Sequence, residues 1–169
     1  MGCLALAGAA ALSLAGLPTD SEASATGTLR PLAGSCDTVV TPKSAEGVVP
    51  IILGVDVVCR MTHLGLVTGG TEREVVIPIG PPDASGGLPV SITIETITYV
   101  AANGDKLRSM FAGNGTVYPA TGRAVFFGTE TFIGGTGRFA KATGTSQTAG
   151  EASLATGRGF LTLSGTVSY

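Results

Sequence analysis

Between Leu53 and Thr62 apolar and polar side chains alternate, with Val55, Val57, Cys59 and Met61 on one side and Asp56, Arg60 and Thr62 on the other. A period of two with that split marks a β-strand buried on one face. The same reading places a strand over Thr26–Thr41, where Cys36, Thr38 and Val40 share a face before Pro42. Leu64–Ile79 continues the series, interrupted at Thr68-Gly69-Gly70-Thr71, and Gly80-Pro81-Pro82 through Gly87 forms a loop.

Residues 88–118 carry the clearest hairpin. Val90–Ala102 runs out, Asn103-Gly104 suits a type I′ turn, and Asp105–Tyr118 returns. On the return strand Leu107, Phe111 and Val117 share a parity, opposite Lys106, Arg108 and Asn114. On the outgoing strand the apolar parity switches between Ile94 and Ile97, which predicts a bulge near Glu95. Three further strands follow over Ala124–Ile133, Thr143–Ser153 and Phe160–Tyr169, and the turns Ala120-Thr121-Gly122-Arg123 and Ala155-Thr156-Gly157-Arg158 repeat one sequence.

The total is about eight antiparallel strands with short connections, which either close into a barrel or split into a sandwich. Ala124–Ile133 is apolar on both faces. Closure is the favoured outcome, one face filling a lumen and the other covered by a partner subunit or a lipidic ligand. The expected fold is an all-β, eight-stranded antiparallel barrel.

Strands arrive at and leave one corner, Gly134-Gly135-Thr136-Gly137-Arg138-Phe139-Ala140. Three glycines in four residues permit a tight crossover, with Phe139 packed beneath it. Gly135-Thr136-Gly137-Arg138-Phe139-Ala140 also satisfies the dinucleotide pattern G-x-G-x-x-A. That motif needs a helix opening on it, and the following Lys-Ala-Thr-Gly-Thr-Ser has no helical period.

Composition agrees with strands and turns: of 169 residues 26 are glycine, charged residues are 13% and Trp is absent. The net charge of −2 is spread without runs of either sign. No basic stripe offers itself to nucleic acid, and no membrane span is expected in the mature chain. Residues 3–17 form an apolar run ended by Pro18, suited to the core of an export signal, with Ala23-Ser24-Ala25 as its cleavage site. No Lys or Arg precedes that run, the first being Arg30. Residues 1–25 are therefore read as an export signal cleaved after Ala25, and residues 26–169 as a single secreted or periplasmic β-barrel domain. Cys36 and Cys59 remain as an even pair, which in an exported domain reads as a disulfide between the first two strands.

The glycine corner, followed by Ala142-Thr143-Gly144, resembles the signature near the C-terminal end of the allene oxide cyclase and dirigent-like barrels. Thr62-His63-Leu64-Gly65 and Ala101-Ala102-Asn103-Gly104-Asp105 resemble segments of small exported bacterial members of that superfamily. The resemblance spans roughly residues 28–169. It implies an eight-stranded barrel, often trimeric, whose lumen holds a hydrophobic ligand or guides cyclisation of a reactive intermediate. The plant cyclases have a lumen glutamate in their early strands. Here the first strand offers Asp37 and no Glu, so no catalytic residue is carried over.

The candidate chemistry is sparse. His63 is the one histidine, without a serine nucleophile elbow, and no metal-ligand set or cofactor motif stands out. Glu130 shares a parity with Phe126 and Phe132; if that face is the lumen, desolvation raises its pKa and makes it a candidate general acid or base. Glu95, with Tyr99 on the same parity beyond it, is a second candidate. Phe111, Phe126, Phe132 and Tyr99 are the expected ligand-binding residues, and Gly134, Gly135, Gly137, Phe139, Cys36 and Cys59 the structural ones. Three functions stay open: a hydrophobic small-molecule binder, a cofactor-independent cyclase or isomerase, and a structural protein with a filled core. Self-association as a dimer or trimer accompanies each.

Overall fold

The structure is a computed structural model that describes residues 27–45 and 47–169. The expected export signal, residues 1–25, lies outside the described residues. Eight strands follow in order: β1 Arg30–Pro42, β2 Ile51–Met61, β3 Gly65–Pro78, β4 Leu88–Ala101, β5 Lys106–Tyr118, β6 Arg123–Gly135, β7 Thr143–Ser153 and β8 Arg158–Ser168. Each pairs antiparallel with the next, and β8 returns to pair with β1 from Arg30↔Val167 to Val39↔Arg158. The barrel is closed, and the sandwich alternative is excluded. Among the described residues no helix is long and apolar enough to cross a membrane.

Alternation fixes what lies inside. On β2 Val57, Cys59 and Met61 are buried while Asp56, Val58 and Arg60 are exposed. On β4 the buried set is Val90, Ile92 and Ile94, then Ile97, Tyr99 and Ala101. The β4–β5 register shifts between Ile94 and Ile97, so the predicted bulge is present and keeps both halves of the strand facing inward. Cys36 and Cys59 face each other across β1 and β2 and are bonded, with Cα atoms 4.0 Å apart.

Two local expectations change. The β4–β5 loop is not a type I′ turn, because Gly104 takes positive φ (85°) and Asn103 does not. Gly104 N–H donates to Ala101 O and Ala101 N–H to Asp105 O, the pattern of a three-residue loop closed by a left-handed glycine. Nor is β3 interrupted at Gly69-Gly70. A Cβ on Gly69 would strike the Thr98 carbonyl of β4, so the glycines let neighbouring strands approach without breaking the ladder.

One end of the barrel is plugged. After β6 the glycine corner makes a single 3₁₀ turn, Gly137–Phe139, which excludes a dinucleotide-binding helix. Gly137 has φ 55° and lies against the Asp105 carboxylate where a Cβ would collide, so glycine is required there. Phe139 is fully buried beneath this turn, edge-on to Tyr169 at 4.9 Å between ring centroids. The Arg138 guanidinium covers the Phe139 ring at 4.7 Å and donates to the His63 carbonyl at 2.8 Å. Leu32, Val67, Leu107 and Val167 fill the barrel around Phe139. The opposite end, where β1 joins β2 and β7 joins β8, is open.

Candidate ligand cavity

From the open end a cavity of about 720 Å³ runs into the barrel, within the range of small-molecule sites. Its walls are apolar: Val55 and Val57 of β2, Val76 of β3, Ile92, Ile94 and Ile97 of β4, and Leu161 of β8 all line it. Ser44, Ala45, Gly47, Val48 and Val49 of the β1–β2 connection form part of the mouth, where Val49 is 61% exposed.

Two aromatic rings shape the interior. Phe111 and Phe126 meet edge to face at 6.5 Å. Each has room because inward positions beside it are glycine. A Cβ on Gly128 would come within 2.7 Å of the Phe111 ring, and one on Gly150 within 2.7 Å of the Phe126 ring. The high glycine content of β5–β8 thus converts strand interior into cavity.

Glu130 lies in this apolar space, 1% exposed. Its β6 position pairs with Phe111 on β5 and Ser146 on β7, so hydroxyls from both neighbouring strands can reach it. Ser109 Oγ donates to Oε1, and Thr148 Oγ1 donates to Oε2 at 3.4 Å. Burial pushes the Glu130 pKa upward, and Ser109, Tyr99, Thr148 and Ser146 oppose that rise by favouring the charged form. The Ser146 hydroxyl is close enough to contribute but makes no hydrogen bond of good geometry. Tyr99 also lines the cavity, and burial followed by the Glu130 charge holds its phenol protonated well above the usual range. A carboxyl beside hydroxyls in an apolar chamber can donate or accept a proton, or anchor a polar group on an otherwise apolar guest.

No protein-family model and no curated protein sequence matches the chain. The solved structure of the pterocarpan synthase dirigent protein PsPTS1 does, with a TM-score of 0.52 over 84% of this chain and 96% of that one, at 13% sequence identity. The fold is a dirigent-like barrel. The likeness concerns the path of the chain, and the reaction named for that protein does not come with it.

Within this dirigent-like barrel the expected site residues separate. Tyr99, Phe111, Phe126 and Glu130 come together on the cavity wall. Phe132, expected to bind ligand, is instead buried in the core and does not line the cavity: it sits two residues further along β6 toward the plugged end. Glu95 is exposed on the outside, because the bulge that keeps Ile94 and Ile97 inward turns the residues between them out. It does not share a face with Tyr99, and the two carboxylates singled out in the sequence are on opposite sides of the wall. His63 is exposed in the β2–β3 turn with Nε2 2.9 Å from the Pro31 carbonyl oxygen, away from the cavity. No cluster of three His, Cys, Asp or Glu side chains suited to a metal occurs among the described residues.

One cavity residue was missed. Glu74 of β3 lines the wall, and burial pushes its pKa up to about 7. In Glu72-Arg73-Glu74 it reads as part of a solvated charged run, and its parity is that of exposed Glu72. The β2–β3 register shifts between Leu53 and Val55, opposite Thr71–Glu74, and this irregularity separates the two glutamates. The available signal was Val76, an apolar residue two positions on.

Proposed function

We propose that this chain is an exported barrel that binds a largely apolar small molecule in its lumen. The cavity carries this reading: about 720 Å³, open at one end, apolar on nearly every wall and polar at Glu130. A structural protein with a filled core would have no such space. The Cys36–Cys59 bond and the apolar run at residues 3–17 support export. Titration with lipophilic fluorophores tests the binding role; saturation at one guest per barrel is expected, and failure of every probe to bind the folded protein would overturn it.

A second reading, a cofactor-independent cyclase or isomerase, rests on Glu130. Burial raises the pKa of this carboxyl, which suits it to proton transfer as a general acid or base, and a shaped apolar cavity can fold a flexible substrate toward a reactive conformation. Self-association fits the outer face, where Phe127 is 63% exposed and Met110 and Phe160 are also exposed. Sedimentation would report a dimer or trimer.

A further inference from the structure

Register shows how Glu74 and Glu130 stand to one another. Glu74 pairs with Ile94, Ile94 with Phe111, and Phe111 with Glu130. These residues form one row across β3, β4, β5 and β6, and all of them line the cavity. Neighbouring strands lie about 4.8 Å apart, so roughly 14 Å of wall separates the two glutamates along that row. Strands in a closed barrel tilt by about 35–45° to its axis, so a row of paired residues climbs the wall as it goes round, and the two glutamates differ in depth as well as in direction. Both carboxyl-bearing residues therefore line one lumen, three strands apart. Among the described residues no Lys, Arg or His lines the cavity, so the protein supplies neither carboxylate with a counter-charge there.

We propose that the natural guest is a cationic amphiphile, an apolar body bearing a protonated amine drawn to the lumen carboxyl groups of Glu74 and Glu130. The inference rests on the lumen-binding reading and adds the ligand's charge. A carboxylate in an apolar chamber is unfavourable unless it is paired. An ammonium group supplies the missing charge, and the aliphatic and aromatic walls take the body of the same molecule. A neutral alcohol offers only a hydrogen bond. An anionic guest adds a third acid to a cavity that already holds two, so this barrel should discriminate against fatty acids and phosphates.

The titratable groups facing the cavity are Glu74, Glu130 and Tyr99. On the adjoining elements Lys43, Asp56, Glu72, Arg73, Glu95 and Arg108 are all exposed. Glu74 is half-protonated near neutral pH, with its pKa at about 7, and pairing with a cation requires the ionised form. Amine affinity should accordingly rise with pH across that region, while alcohol affinity should not.

Pyrenylbutylamine, pyrenylbutanol and pyrenylbutanoate share a fluorescent apolar body and differ only in the head group, so their titration into the full chain isolates the effect of charge. At pH 8 the amine should bind about tenfold more tightly than the alcohol, with the acid weakest, and its affinity should fall about tenfold on going to pH 5.5. Glu74→Gln should remove most of the amine preference and its pH dependence, and Glu95→Gln on the outer surface should retain both. Equal binding of the three probes, or tightest binding of the acid, would overturn the cationic guest and leave the lumen reading standing. If none of the three bound the folded wild-type protein, the lumen reading would fall, and this proposal with it.

Discussion

Glu74 links the cavity to the stability of the barrel. Its ordinary pKa is 4.5, and in the folded protein burial raises it to about 7. Below pH 4.5 both the folded and unfolded chains hold the proton, and burying the neutral carboxyl carries no ionic cost. Between those values the folded state binds more protons, so stability falls as pH rises and the loss is complete above the folded pKa. Each tenfold change in proton affinity is about 1.4 kcal/mol, which caps the loss at about 3 kcal/mol. Glu74 is only partly buried and the cavity is open to water at one end. Solvent screening reduces the expected loss to about 1–2 kcal/mol. Glu130 acts in the same direction, since burial raises its pKa too. Asp83 acts oppositely: hydrogen bonds from Ser85 and Gly87 lower its pKa, so its contribution is present above its ordinary pKa and is lost as the medium becomes more acidic. Urea denaturation of wild type and Glu74→Gln at a series of pH values from 4.5 to 8 measures the difference with the other groups held constant. Wild type should lose about 1–2 kcal/mol relative to the variant across this range. Parallel stability profiles for the two proteins would refute the placement of the Glu74 carboxyl inside the wall.

Phe139→Ala removes the fully buried ring beneath the glycine corner and should cost about 3–5 kcal/mol, read as a drop in denaturation midpoint; a loss under about 1 kcal/mol would mean the plug repacks freely. Replacing Cys36 and Cys59 together with Ala opens a loop spanning 23 residues and should cost about 3 kcal/mol, whereas an unchanged midpoint under oxidising conditions would show that the bond contributes little. Ile92→Trp places a larger side chain on the cavity wall; fluorophore binding should weaken about tenfold or more while far-UV circular dichroism is retained, and undiminished binding would move the guest elsewhere. If a substrate is turned over, Glu130→Gln should lower kcat about a hundredfold and Glu95→Gln should leave it unchanged, with equal effects counting against Glu130 as the acid.

Local sequence determined much of the architecture. The alternation on β2 and β4 is a property of neighbouring residues, because successive side chains leave a strand on opposite sides whatever the strand later pairs with. The parity switch at Ile94 and Ile97 marked the β4 bulge for the same reason. Gly134-Gly135-Thr136-Gly137 with Phe139 specified a corner through backbone freedom and a single anchor, and the cysteine spacing allowed one pair within the domain. Tertiary closure decided the rest. Periodicity sorts residues into two faces, and only the completed barrel sets their depth. That is why Phe132 belongs to the plug although it shares a face with Phe126, which lines the cavity. The bulge turned Glu95 outward, and the shifted β2–β3 register placed Glu74 in the wall while Glu72 remained outside. The placing of Glu74 and Glu130 in one row of the lumen wall depends on three consecutive strand registers. Each register is fixed by the fit of whole strands in a closed ring, so no local stretch of sequence contains that relation.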